Sequence, residues 1–166
     1  MFSLYKSHNN NLYNKLVELS RNIFFYKVLG LKDNFETRVF LMFIHFSIIL
    51  LIYKNKANKK FPQEIFDNIF TNIEYHMREM GLGDVAVNTK MKTLNKLFYD
   101  ILLKLNTSKN NDFLPNKNLI IKYFNELSGS NDDKMKKMTD YLQNFHNFCF
   151  ELEDKIMIKG QINYKY

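Results

Sequence analysis

Residues 39–53, VFLMFIHFSIILLIY, form a predominantly apolar run of 15 residues between Arg38 and Lys54. Such a run must be covered on every side, so it limits the chain to a few architectures. A membrane-spanning helix needs about 20 apolar residues. This run is shorter and carries His45 and Ser47 in its middle. It is read as the central helix of an all-α bundle, apolar all round because other helices cover it. The alternative is a helix docked on a membrane surface, aided by Lys54, Lys56, Lys59 and Lys60 just after it.

The rest of the chain supplies the cover. Leu12, Leu16, Leu19 and Ile23 recur at helical spacing, predicting a first helix over 11–28 that stops near Gly30. The apolar run belongs to a second helix over 34–54. Phe66, Ile69, Phe70, Ile73, Met77 and Met80 make one stripe of a third helix over 62–80, with Pro62 in its first turn and Gly81 as a left-handed stop. A fourth helix is expected over 89–105, capped by Asn88 or Thr89. Residues 106–116, polar and ending near Pro115, form the clearest loop. A fifth helix covers 117–127. A sixth covers 131–157, capped by Ser130 or Asn131, with Asp132 and Asp133 at its positive end. No segment alternates with period two long enough to form a strand. The expectation is therefore a single compact all-α domain of about six helices over 11–158. Residues 1–10 are expected as a flexible tail, and 159–166 as a frayed one.

Composition enters when the charge is read. The chain carries a formal net charge of +7. Lys, Asn, Ile, Phe and Tyr make up half of its 166 residues, and their codons can be rich in A and T. Much of the lysine excess is therefore genome bias. The charge supports weak attraction to anionic surfaces and is poor evidence for nucleic acid binding. Against that bias, the three arginines (Arg21, Arg38, Arg78) and the pair Gly81 and Gly83 stand out as positions with a specific need.

Chemistry-bearing patterns are sparse. Cys149, the one cysteine, excludes a disulfide framework and lies among Phe145, Phe148 and Phe150, where it is a small buried hydrophobe. His8, His45, His76 and His146 show no helical ligand spacing. His45 is expected as a core imidazole with one hydrogen-bond partner. No phosphate loop, zinc-protease motif or nucleophile elbow is present. The expectation is a protein that is not an enzyme, with no catalytic residue, no metal and no cofactor.

One segment is different. Residues 66–99 read FDNIFTNIEYHMREMGLGDVAVNTKMKTLNKLFY. They form a helix, a tight glycine-dependent turn and a second helix. Glu79 near a helix C-terminus meets an unfavourable dipole, which calls for a partner such as Arg38, Lys90 or a backbone donor. Gly81 and Gly83 let the chain reverse, and Asp84 is placed to cap the turn. The segment is read as a helical hairpin corner locked by an ion pair, with a surface that meets another polypeptide as the alternative.

This segment resembles the ubiquinol–cytochrome c chaperone family, the assembly factors of the cytochrome bc1 complex. The resemblance rests on Phe66, Asp67, Arg78, Glu79, Met80, Gly81, Gly83, Asp84, Val87, Lys90, Met91, Lys92, Phe98 and Tyr99. A second stretch is also similar: Phe25, Tyr26, Gly30, Leu31, Asp33, Arg38 and the apolar helix with His45. The similarity extends over about residues 12–105. Lys32 stands where the family pattern has Pro, and Thr37 where it has Gly.

The resemblance implies a non-enzymatic helical chaperone for newly made cytochrome b. It also implies a small co-chaperone, the ribosome or an anionic membrane surface as further partners. A bacterial-type member would work on the cytoplasmic face of the inner membrane, and a eukaryotic one at the mitochondrial inner membrane. Arg78, Glu79, Met80, Gly81, Gly83, Asp84, Lys90, Met91, Phe98 and Tyr99 become the candidate partner-binding residues. Asp33, Arg38 and His45 become structural ones. Met77, Met135 and Met138 add adaptable apolar side chains to a client groove. The rival readings are a membrane-surface module built on 39–60, and a haem-handling helical protein using His45, His76 or His146.

Overall fold

The apolar run becomes the middle of α2 (Phe35–Ala57), three residues longer at its C-terminus than expected. Asn34 caps it, its side chain accepting from the Thr37 amide at 2.9 Å. The computed structural model describes residues 11–129 and 132–166. Among these it has seven α-helices and no strand. Every residue from Leu41 to Ile49 is buried, so α2 has no solvent face over that stretch. By length and composition α2 could also cross a membrane, but 67% of its apolar window is buried by the rest of the chain.

The covering helices are α1 (Asn11–Ser20), α4 (Asp84–Lys104), α6 (Asp132–Phe150) and α7 (Asp154–Ile158), all packed on α2. α3 (Gln63–Glu79) lies against α1 and α4. α5 (Lys117–Tyr123) is tied to α4 by Asp100, whose carboxylate meets Lys104 at 2.6 Å, Lys122 at 2.7 Å and the Tyr123 hydroxyl at 2.5 Å. Those three donors hold the Asp100 carboxyl well below the usual range. At the centre of the α2–α3–α4 layer, the Phe98 ring stacks on Phe46 and meets Phe43, Phe66 and Phe70 edge-on.

Several boundaries differ from the expectation, each for a local reason. The first helix does not run to 28. It stops at Ser20, the Asn22 side chain accepts from the Phe24 amide, and a π-helical turn over Phe24–Val28 follows. The fourth helix starts at Asp84 rather than 89. Gly83 takes the extended conformation of an N-cap without contributing a side chain, so Asn88 and Thr89 lie inside the helix. The fifth ends at Tyr123, followed by a 3-10 turn over Asn125–Leu127. The sixth ends at Phe150, and a separate α7 follows. The residues expected to cap α6, Ser130 and Asn131, lie outside the described residues, as does the tail over 1–10.

The end of the chain is not frayed. Ile162 is 1% exposed, and the Tyr164 ring meets Tyr141, Phe145 and Phe148. Gly160 makes this return possible. Its φ is +69°, and a Cβ there would lie 2.5 Å from the carbonyl oxygen of Asn11.

Candidate partner-binding site

The α3–α4 corner is built by a glycine-terminated helix stop. The Gly81 amide donates to the Arg78 carbonyl at 2.9 Å and the Leu82 amide to the Met77 carbonyl at 3.2 Å. Together they close a Schellman motif with Gly81 at φ +92°. Gly83 has φ −73°, which any residue adopts, so only one glycine of the pair is conformationally required.

Arg78 locks the corner. One arm of its guanidinium donates to Glu74 at 3.0 Å, one turn back on α3, and the other donates to Asp84 at the start of α4. These carboxylates push the arginine pKa up further. Asp84 therefore acts as an ion-pair partner for Arg78 rather than as a side-chain cap of the turn. Glu74, absent from the expected set, is the residue that fixes the fork; its i,i+4 spacing to Arg78 was the available signal. Glu79 does not pair with Arg38 or Lys90. It is exposed and points away from Arg78, at the rim of a cleft it shares with Arg38.

The remaining candidates divide by exposure. Met80 is 51% exposed and Tyr99 50%. Lys90 is exposed and sits over the Phe35 ring at 6.0 Å, while Met91 is half-buried. Phe98 is fully buried and belongs to the core, so it cannot meet a partner directly. Met77, Met135 and Met138 are buried too and belong to the core. The apolar surface that sequence reasoning missed is Val85, 82% exposed, and Leu103, 78% exposed, both on α4. Counting in turns from Tyr99 would have found Leu103 four residues on.

The structural residues are placed as follows. Arg38 Nε donates to Asp33 at 2.8 Å, with Nη2 at 2.6 Å from the same oxygen, so the pair joins the entry segment to α2 despite Lys32 and Thr37. His45 has two partners rather than one. Nδ1 donates to the Leu41 carbonyl at 2.6 Å, which leaves Nε2 to accept from the Tyr141 hydroxyl at 2.8 Å. Burial pulls its pKa down to about 4. Both nitrogens are engaged, so His45 does not offer a haem ligand. His76 stacks on Phe35, and His146 stacks on Phe113. Cys149 is buried, and burial pushes its thiol up to about 12. Of the lysines that follow the apolar run, Lys56 in the last turn of α2 is occupied: it donates to the Phe150 carbonyl at the end of α6 and to the Leu152 carbonyl just beyond it.

The family model for ubiquinol-cytochrome C chaperone matches residues 27–119, which covers more than half of the chain. The chain belongs to that family. The match begins in the π-helical turn, runs through α2, α3, the Arg78 corner and α4, and ends in α5. It starts later than the stretch expected from the motifs and reaches further, taking in the 106–116 loop. No curated protein and no solved structure matches the chain. A chaperone role in assembly of the bc1 complex, acting on a protein client, follows from the family.

Proposed function

We propose that this protein is a non-enzymatic holding chaperone for newly made cytochrome b, working at the membrane surface where that client inserts. Its binding face is the α3–α4 corner together with the solvent side of α4. The observation that supports this is the exposure of Val85, Tyr99 and Leu103 on α4 and of Met80 at the corner, four of the ten large apolar residues that stand exposed among the described residues. A client with long apolar helices offers complementary side chains, and a helix face of this kind is a common way to hold them. Lys92 and Lys96 lie between Val85 and Tyr99 on the same helix and are exposed, which adds attraction for an anionic membrane surface. Arg78 holds the corner so that α3 and α4 present this face together.

The deciding experiment deletes the gene and follows pulse-labelled cytochrome b and assembled bc1 complex. The expected result is faster loss of cytochrome b and less complex, restored by the intact gene. Normal cytochrome b turnover with normal complex rejects the proposal.

A further inference from the structure

The cleft beside Glu79 is a concave feature of the molecule not used by the proposed client face. It has a volume of about 380 Å³ and lies where α1, the first turns of α2 and the last turns of α3 meet. That volume is in the range of small-molecule sites, roughly 300–1,000 Å³. Its floor is apolar, made by Val39, Met42 and Ile73, all buried. Its rim carries Arg21 from the end of α1 and Arg38 from the first turn of α2.

The two arginines are the significant point. The chain has three arginines among 24 cationic residues, in a composition that favours lysine at every cationic position. Two of the three line this one cleft. Guanidinium differs from ammonium in its planar fork, which binds phosphate or carboxylate through two parallel donors. Arg38 is held in place by Asp33, and Arg21 makes no ion pair among the described residues. Glu79 is the one acidic residue in the lining, and Asp33 outside it already takes Nε and Nη2 of Arg38, so Arg21 is the guanidinium of the lining without an ion pair among the described residues. An inorganic anion would satisfy the rim and leave the apolar floor unused. A purely apolar ligand would leave the Arg21 guanidinium without an ion pair.

We propose that this cleft binds a phosphate ester with an apolar substituent, its phosphate held between Arg21 and Arg38 and its apolar part on Val39, Met42 and Ile73. The head of an anionic phospholipid and a soluble organic phosphate share that chemistry. The site is separate from the α4 face and does not rest on the cytochrome b reading.

The test titrates the full chain by calorimetry and NMR with dihexanoyl phosphatidic acid below its micellar concentration, glycerol 3-phosphate, inorganic phosphate and uncharged dihexanoylglycerol. Saturable binding of the phosphatidic acid is expected, with shifts at the cleft and at least tenfold weaker binding of inorganic phosphate. Arg21→Lys keeps the charge and removes the fork, and is expected to weaken binding about tenfold with the helix content unchanged. Val17→Phe, which narrows the cleft from α1, weakens the lipid and spares inorganic phosphate. Glycerol 3-phosphate binding as tightly as the lipid supports the soluble source; weaker binding supports the lipid. The proposal is overturned by no saturable binding of either ester, by equal affinity for dihexanoylglycerol, or by Arg21→Lys binding like the native chain.

Discussion

The Tyr141 hydroxyl donates to His45 Nε2 at 2.8 Å across the packed α2–α6 interface. His45 in turn donates to its own helix at Leu41. One polar relay therefore sits in a core of phenylalanine rings, with each ring nitrogen satisfied. Phe25 and Phe145 pack edge-on against the same imidazole. Removing the hydroxyl leaves Nε2 buried and unpaired, which costs about 1–3 kcal/mol. Tyr141→Phe is expected to lose that much stability in urea unfolding with no change in helix content.

The same imidazole sets a pH dependence. Burial lowers its folded-state pKa to about 4, below the ordinary value of 6.5. The unfolded chain therefore takes up the proton first as pH falls. Stability from this group is complete above pH ~6.5 and declines as pH drops toward 4, by about 3 kcal/mol in total. His146, also lowered by burial, adds in the same direction. Unfolding curves between pH 7 and 4.5 check this. His45→Gln is expected to flatten the slope, and an unchanged slope would refute the assignment.

The glycines of the corner are expected to behave oppositely. Gly81 has φ +92°, where a side chain costs about 1–2 kcal/mol. Gly83 has ordinary N-cap dihedrals, no side-chain cap, and open space at its Cβ position. Gly81→Ser is expected to destabilise, whereas Gly83→Ser supplies the missing cap and gains a few tenths of a kcal/mol. Thermal unfolding of the two variants separates them.

These glycines show how far the sequence reaches. Gly81 was legible because a stripe ended beside it. Gly83 was not, since φ depends on how α4 begins, and α4 begins through backbone geometry five residues before the first residue with an obvious cap. α2 was legible because its apolar residues leave no polar side. Phe98 and Tyr99 were both placed among the candidate partner-binding residues. Adjacent helical residues point about 100° apart, so one fills the core and the other faces water. The Arg21–Arg38 cleft was invisible because it gathers residues from three helices.

The returning C-terminus gives a further prediction. Ile162 is 1% exposed, two residues beyond Gly160, which lies against the Asn11 and Leu12 backbone. Ile162→Ala is expected to cost about 2–5 kcal/mol, the range for a buried aliphatic truncation. A frayed end would give no change in the urea midpoint.

Arg78 and the α4 face test the client reading together. The Arg78 side chain is partly exposed, so Arg78→Gln is expected to leave the circular dichroism spectrum intact while lowering assembled bc1 complex. Leu103→Glu alters a side chain that touches little of the core, and such surface changes stay within about 0.5 kcal/mol. It is nevertheless expected to reduce cross-linking to newly made cytochrome b. Phe98→Ala, five positions earlier, should do the reverse: it loses about 3–5 kcal/mol by opening the core. Loss of assembly in Phe98→Ala should then follow loss of the folded chaperone. In Leu103→Glu it should occur with the fold intact. Normal assembly in a folded Leu103→Glu, Tyr99→Glu double variant would remove the α4 face from the client site.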